Sequence, residues 1–191
     1  SGGRPLIRAA WVLVLLLAQG SVAVAADGAA AAAFERLKAL QGHWEGKFAD
    51  GRRHTVEYRL SAGGTVLVET WQLAPGRESM TLYHLDGDRL LATHYCPQQN
   101  QPRLALSAGD DPTVLSFEFV DGTGLDVPGK SHQHAFVTEL RPDGSYARSE
   151  TYVENGATAE MLAAAKADAP IDYRRIAAPD QPAASQAANA E

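Results

Sequence analysis

The sequence predicts an all-β fold, an antiparallel up-and-down β-barrel of about ten strands with a short N-terminal helix. Three observations carry that expectation. From Trp44 to Ile176 apolar and polar residues alternate with a period of two, as in His54, Val56, Tyr58 and Leu60 against Arg53, Thr55, Glu57 and Arg59. Turn signals recur at near-regular spacing, at Ala62-Gly63-Gly64, Ala74-Pro75-Gly76, Asp86-Gly87-Asp88 and Pro142-Asp143-Gly144. The segments between them follow one another as hairpins, which favours a meander over Greek-key crossovers. A barrel of about eight to ten strands can enclose one small ligand.

Taken in order, residues 1–26 have the pattern of a secretory signal peptide. Arg4 and Arg8 form the positive end, Trp11 to Ala18 the apolar run, and Ala23-Val24-Ala25 or Val24-Ala25-Ala26 a small-residue cleavage site. The apolar run is shorter than the roughly 20 residues a spanning helix needs. Ala29–Leu40 is alanine-rich with Phe34, Leu37 and Leu40 at helical spacing, a short helix with one apolar stripe. Gly42-His43-Trp44 ends it and starts the strands, the indole being large enough to close one end of a core.

Strands are then expected at Arg53–Leu60, Thr65–Leu73, Ser79–Leu85, Arg89–Cys96, Gln101–Ser107, Val114–Val120, His132–Leu140, Ser145–Glu154 and Ile171–Ile176. The Gly-rich stretch Asp121–Ser131 reads as a loop and Thr158–Ala167 as a second short helix. Residues 27–176 therefore make one barrel domain. Ala177 to Glu191, rich in Ala, Pro, Gln and Asn, reads as a disordered tail.

Composition narrows the function classes. Hydrophobic residues make up 45% of the 191, ample for a packed core. The net charge of −6 becomes more negative if Arg4 and Arg8 leave with the signal, and an acidic surface repels phosphate backbones, so nucleic acid is not an expected partner. Cys96 is the one cysteine, so no intramolecular disulfide can form. The signal pattern places the mature chain in the periplasm or outside the cell, without stable membrane insertion.

The helix followed by Gly42-His43-Trp44 resembles the Gly-x-Trp opening of the lipocalin-like (calycin) group of bacterial exported proteins. The segment Met80–Arg103, MTLYHLDGDRLLATHYCPQQNQPR, is similar to an uncharacterised lipocalin-like domain family. A more distant likeness is to nitrobindin, a ten-stranded haem barrel with a similar Gly-x-Trp-x-Gly start, matched here by Gly42, Trp44 and Gly46. Together these likenesses span roughly residues 34–176. They imply a ligand-enclosing barrel, with haem as one possible guest, and carry no activity over.

The unusual chemistry concentrates between Gly64 and Leu106. In Arg89–Cys96 one face holds Leu90, Ala92, His94 and Cys96, the other Leu91, Thr93 and Tyr95, and periodicity leaves open which lines the interior. A Cys–His pair can activate a thiol, or it can be a tied histidine beside a buried cysteine. Arg103 can grip a ligand carboxylate or pair internally with Glu69, the internal pair being the favoured reading. His132-Gln133-His134 offers two imidazoles that can ligate haem or a metal, yet no third ligand completes a zinc set. Tyr146, Arg148, Glu150 and Tyr152 share a face, which is either an outward, solvated ladder or an inward carboxylate site like that of fatty-acid-binding barrels.

The resulting expectation is an exported barrel that binds a small, partly apolar molecule in its interior, a carboxylate being one group the ligand can carry. The site is built from Glu69, Trp71, Tyr83, His94, Cys96, Gln101 and Arg103, with His134 reaching it from across. No cofactor and no obligatory metal is expected, because no complete ligand spacing is present. Two alternatives stand beside this one: an enzyme on the same barrel using His94, Tyr95, Cys96 and Glu69, and a haem protein using His132 or His134.

Overall fold

The computed structural model describes residues 21–179. The signal-peptide pattern up to Gly20 and the tail beyond Pro179 lie outside the described residues. The period-two segments fold as ten strands: β1 (Gly42–Lys47), β2 (Arg53–Ser61), β3 (Val66–Ala74), β4 (Arg77–Asp86), β5 (Arg89–Tyr95), β6 (Gln101–Leu106), β7 (Val114–Thr123), β8 (Ser131–Leu140), β9 (Tyr146–Glu154) and β10 (Ile171–Ile176). Every strand is antiparallel to its chain neighbours, and β1 pairs with β10 through His43 opposite Ile176, so the sheet closes on itself and leaves no free edge. This is the up-and-down barrel that the alternation predicts.

Turn chemistry sets the register. Asp86 pairs with Arg89, leaving Gly87-Asp88 as a two-residue connection, and Gly87 takes a φ of 60° that its lack of a Cβ makes inexpensive. A second glycine acts inside the wall. A Cβ on Gly46 would lie 2.5 Å from the Tyr173 ring and 3.0 Å from that of His54, so only glycine lets these rings close the seam between β1, β2 and β10.

One helix, α1 (Ser21–Lys38), lies against β2, β4 and β5. It begins earlier than the expected Ala29, because the alanine-rich run favours helix over its whole length. Ala30, Ala33, Phe34, Leu37 and Leu40 are buried and continue the barrel core beneath Trp44, which is itself fully buried. The Trp44 indole donates to the Leu40 carbonyl at 2.7 Å, so its one polar atom is satisfied in the apolar plug. Burial of side chains this large stabilises by about 1.5–3 kcal/mol each, which is what seats the helix on this end.

The opposite end is not plugged. There the β1–β2 turn at Phe48, the β3–β4 turn, the loop from Cys96 to Asn100 and the segment Asp168–Ile171 surround an opening. The second helix, α2 (Ala159–Ala164), precedes that last segment. Thr158 caps it by accepting from the Met161 amide at 3.3 Å, and none of its side chains is buried.

Candidate functional site

Alternation decides which side chains enter the barrel. β3 turns Leu67, Glu69 and Trp71 inward, β4 turns Ser79, Thr81 and Tyr83, β5 turns Leu90, Ala92 and His94, and all are buried. β9 contributes Tyr146 and Arg148, with Glu150 on the same face. The layers follow the barrel axis. Aliphatic and aromatic groups fill the helix end, whereas polar groups gather toward the open end.

At mid-height an ion cluster crosses the interior. Arg148 donates from Nη1 to Glu69 Oε2 at 3.3 Å and to the Tyr83 hydroxyl at 3.0 Å, and from Nε to Glu150 Oε1 at 3.0 Å. Tyr83 passes its own proton donor to Glu69 Oε2, and the Trp71 indole donates to Glu69 Oε1. Gln133 Nε2 donates to Glu150 Oε1 at 2.9 Å. The guanidinium also lies 3.8 Å from the centre of the Phe136 ring. A guanidinium has five donors in a planar fork, and here it ties three walls of the barrel together.

Burial opposes charge throughout this layer. Burial lifts the Glu150 carboxyl above the usual range against the pull of Arg148, with Glu69 adding to the rise. Burial likewise raises Tyr83 well above an ordinary phenol, and the neighbouring Glu69 adds to it. His94 goes the other way. Burial, then the Arg148 charge, hold its pKa down to about 3, so the ring is neutral. Its Nδ1 meets the Thr81 hydroxyl at 3.0 Å, whereas Nε2 is buried with no partner.

Above the cluster lies a cavity with two adjoining lobes of about 390 and 260 Å³ that share Phe48, Trp71, Arg148, Glu150 and Asp168. The larger lobe is also lined by Leu73, Arg77, Ser79, His94 and Cys96. Volumes of this order lie at the small end of ligand pockets, and the lining mixes aromatic walls with a few polar groups, as such pockets do.

The sequence-derived candidates divide three ways. Glu69, Trp71 and Tyr83 sit together in the Arg148 cluster. Trp71, His94 and Cys96 line the cavity. Gln101 and Arg103 do neither: they point outward from β6, where Gln101 accepts from Thr123 and Arg103 forms a two-pronged pair with Asp121. The expected Arg103–Glu69 pair is therefore replaced by Arg148–Glu69. The reason is strand parity, since Pro102 and Leu104 take the inner positions of β6 and force Arg103 out.

His134 also lies apart from the cavity. β8 shifts register between Gln133 and Ala135, and His134 stacks on Phe119 with Nδ1 3.3 Å from His132 Nε2. His132 Nδ1 meets Asn155 Oδ1 at 3.0 Å. Neither histidine lines the cavity, so this pair does not fit an axial ligand for a guest held there. Among the described residues no three His, Cys, Asp or Glu side chains come together as a metal-binding set.

For covalent chemistry the fit is equally poor. Burial raises the Cys96 thiol above its ordinary value, the opposite of an activated nucleophile. Glu69 spends both oxygens on Trp71, Tyr83 and Arg148, and Tyr95 is exposed on the outer face. The principal residues that sequence reasoning left undecided are Arg148 and Glu150. Their signal was present, because Tyr146 and Tyr152 share their face, and a tyrosine-flanked Arg–Glu face suits an interior better than solvent.

No family model matches the chain, and no curated protein matches it. Among solved structures it is similar to the crystal structure of Rv2717c from M. tuberculosis, with 19% identity and a TM-score of 0.47 over 75% of this chain and 97% of that one.

Proposed function

We propose that the protein is an exported, lipocalin-like binding barrel that holds one small, partly apolar molecule in the cavity above Arg148. The observation that carries this reading is the unpartnered Nε2 of His94, buried at the wall of an open cavity of about 390 Å³. A buried polar atom without a partner costs roughly 1–3 kcal/mol, and a ligand that meets it recovers that cost. The apolar side of the same space is supplied by Phe48, Trp71 and Leu73, at the end of the barrel opposite the helix plug. The signal-like pattern of residues 1–26 supports export to the periplasm or beyond.

Binding is favoured over catalysis because the cavity offers a neutral imidazole, a thiol raised in pKa, the Glu150 carboxylate engaged by Arg148 and Asp168 at the rim, none of them an activated nucleophile. Native mass spectrometry of protein purified from its own host tests the reading. A retained small molecule whose occupancy falls in His94→Ala is the expected result. A bare mass in the wild type, together with a melting temperature unmoved by a broad panel of small apolar compounds, would overturn it.

A further inference from the structure

We infer that the cavity is built for a small organic cation, an ammonium group on a partly apolar body, received between Glu150, Asp168 and the free Nε2 of His94. The inference rests on the binding reading above and adds the charge of the guest.

The charges that line or underlie the cavity are Arg148, Arg77, Glu69, Glu150 and Asp168, so carboxylates exceed guanidinium groups by one. Arg148 is already held between Glu69 and Glu150 with its side chain only 1% exposed. An anionic guest seated on Arg148 would have to displace one of those carboxylates, at the cost of leaving a buried charge uncompensated, which leaves only Arg77 at the rim to receive it. A cation meets the excess instead. Glu150 takes both of its protein hydrogen bonds, from Arg148 and Gln133, on Oε1, and its second oxygen has none. Asp168 is fixed at the rim by its amide, which donates to the Glu150 carbonyl at 2.8 Å, so the two carboxylates stand on adjoining backbone.

His94 supplies the independent indication of a ligand. It is buried, faces the larger lobe, and pairs only through Nδ1 with the Thr81 hydroxyl. When Nδ1–H donates to Thr81, Nε2 keeps a lone pair without a partner, on a ring that lines the larger lobe. A group with several donors and no acceptor, which is what an ammonium is, satisfies both that lone pair and the carboxylates. Burial is the main reason the Glu150 carboxyl is raised, and Glu69 and Asp168 add like-charge repulsion, which is the part a cationic guest relieves. The rest of the lining fits the remainder of the molecule, since Phe48, Trp71 and Leu73 present carbon to the cavity.

Three probes with one ring and different charge test this: benzylamine, benzyl alcohol and benzoate, each titrated into the full chain by calorimetry and by thermal melting. Benzylamine is expected to bind at least about tenfold more tightly than benzyl alcohol, with benzoate weakest. Glu150→Gln should reduce the benzylamine affinity about tenfold and leave that of benzyl alcohol nearly unchanged. Asp168→Asn, at an exposed position where folding is not at stake, should give a smaller loss of the same sign. Benzoate or benzyl alcohol binding as well as benzylamine, or benzylamine binding that survives both substitutions, overturns the cation while leaving the binding barrel standing. If none of the three binds at millimolar concentration the cation is overturned, and the binding reading falls as well when protein from its own host also shows a bare mass and the broad panel leaves its melting temperature unmoved.

Discussion

Arg148 and Glu69 meet at 3.3 Å inside the barrel, with side chains 1% and 0% exposed, although they come from strands that are not neighbours in the sheet. A charge pair so deep is costly to break, because the survivor is left buried and uncompensated. Arg148→Met should therefore lower stability by about 3–5 kcal/mol in urea denaturation. The double variant Arg148→Met with Glu69→Gln should lose less than the sum of the two single changes, the mark of direct coupling. A double loss equal to the sum would show that the two groups do not support one another.

His94 gives a pH dependence with a definite sign. Its pKa falls from 6.5 in the unfolded chain to about 3 in the folded one. Between those values the unfolded state takes up a proton that the folded state refuses, so stability falls as pH falls from about 6.5 toward 3 and gains nothing further above 6.5. At full extent this is on the order of a few kcal/mol. His54, lowered to about 4 by burial, works in the same direction, whereas Glu150, with its raised pKa, works against both. His94→Gln, which can keep a hydrogen bond to Thr81, should flatten the melting-temperature profile between pH 6.5 and 4. In the wild type, the His94 ring proton resonances should stay at neutral-imidazole positions down to about pH 5.

How much of this could be read from the residues depends on whether a strand's two faces differ. Where they do, as in the alternation from Arg53 to Leu60 of β2, strand and face were both legible, and the nine strands with expected bounds fell within a few residues of them. In β5 both faces carry apolar groups, so sequence alone could not choose between His94 and Tyr95; the hairpin with β4, where His94 opposes the buried Thr81, settles it. Arg103 was misplaced for a different reason. Its chemistry suggested a ligand grip, while its parity, one residue from the fully buried Leu104, already assigned it to the outside. The side-to-side pairing of Arg148 with Glu69 was not legible at all, because it joins residues 79 apart across a closed barrel.

The surface pair makes the converse prediction. Arg103 and Asp121 are about half exposed, and an ion pair in that setting contributes roughly 0–1 kcal/mol. Arg103→Ala should change stability by no more than that and leave ligand affinity within about twofold, measured by urea denaturation and by calorimetry with whichever probe binds. A larger drop in affinity would show that the guest reaches the outer face of β6, which would place the binding site somewhere other than the cavity.

Cys96 offers a footprint of that cavity without any substitution. It sits just past the end of β5, half buried, on the lining of the larger lobe beside His94. Burial raises its thiol pKa, so at pH 7.5 a smaller share is thiolate than in a free cysteine. The thiolate is the species that reacts, so iodoacetamide should alkylate Cys96 at least several-fold more slowly than it does a cysteine in an unstructured peptide. The rate should keep climbing above pH 9 rather than level off. A guest in the cavity covers the sulfur, so a binding probe should slow the reaction further, in proportion to its occupancy. Because the protein has only this one cysteine, mass spectrometry of the intact chain reads the reaction directly. Fast alkylation at neutral pH would mean an activated thiol, and would revive nucleophilic chemistry at this end of the barrel. Slow alkylation that a bound probe does not change would place the guest away from Cys96, in the smaller lobe near Ala49 and Ile171.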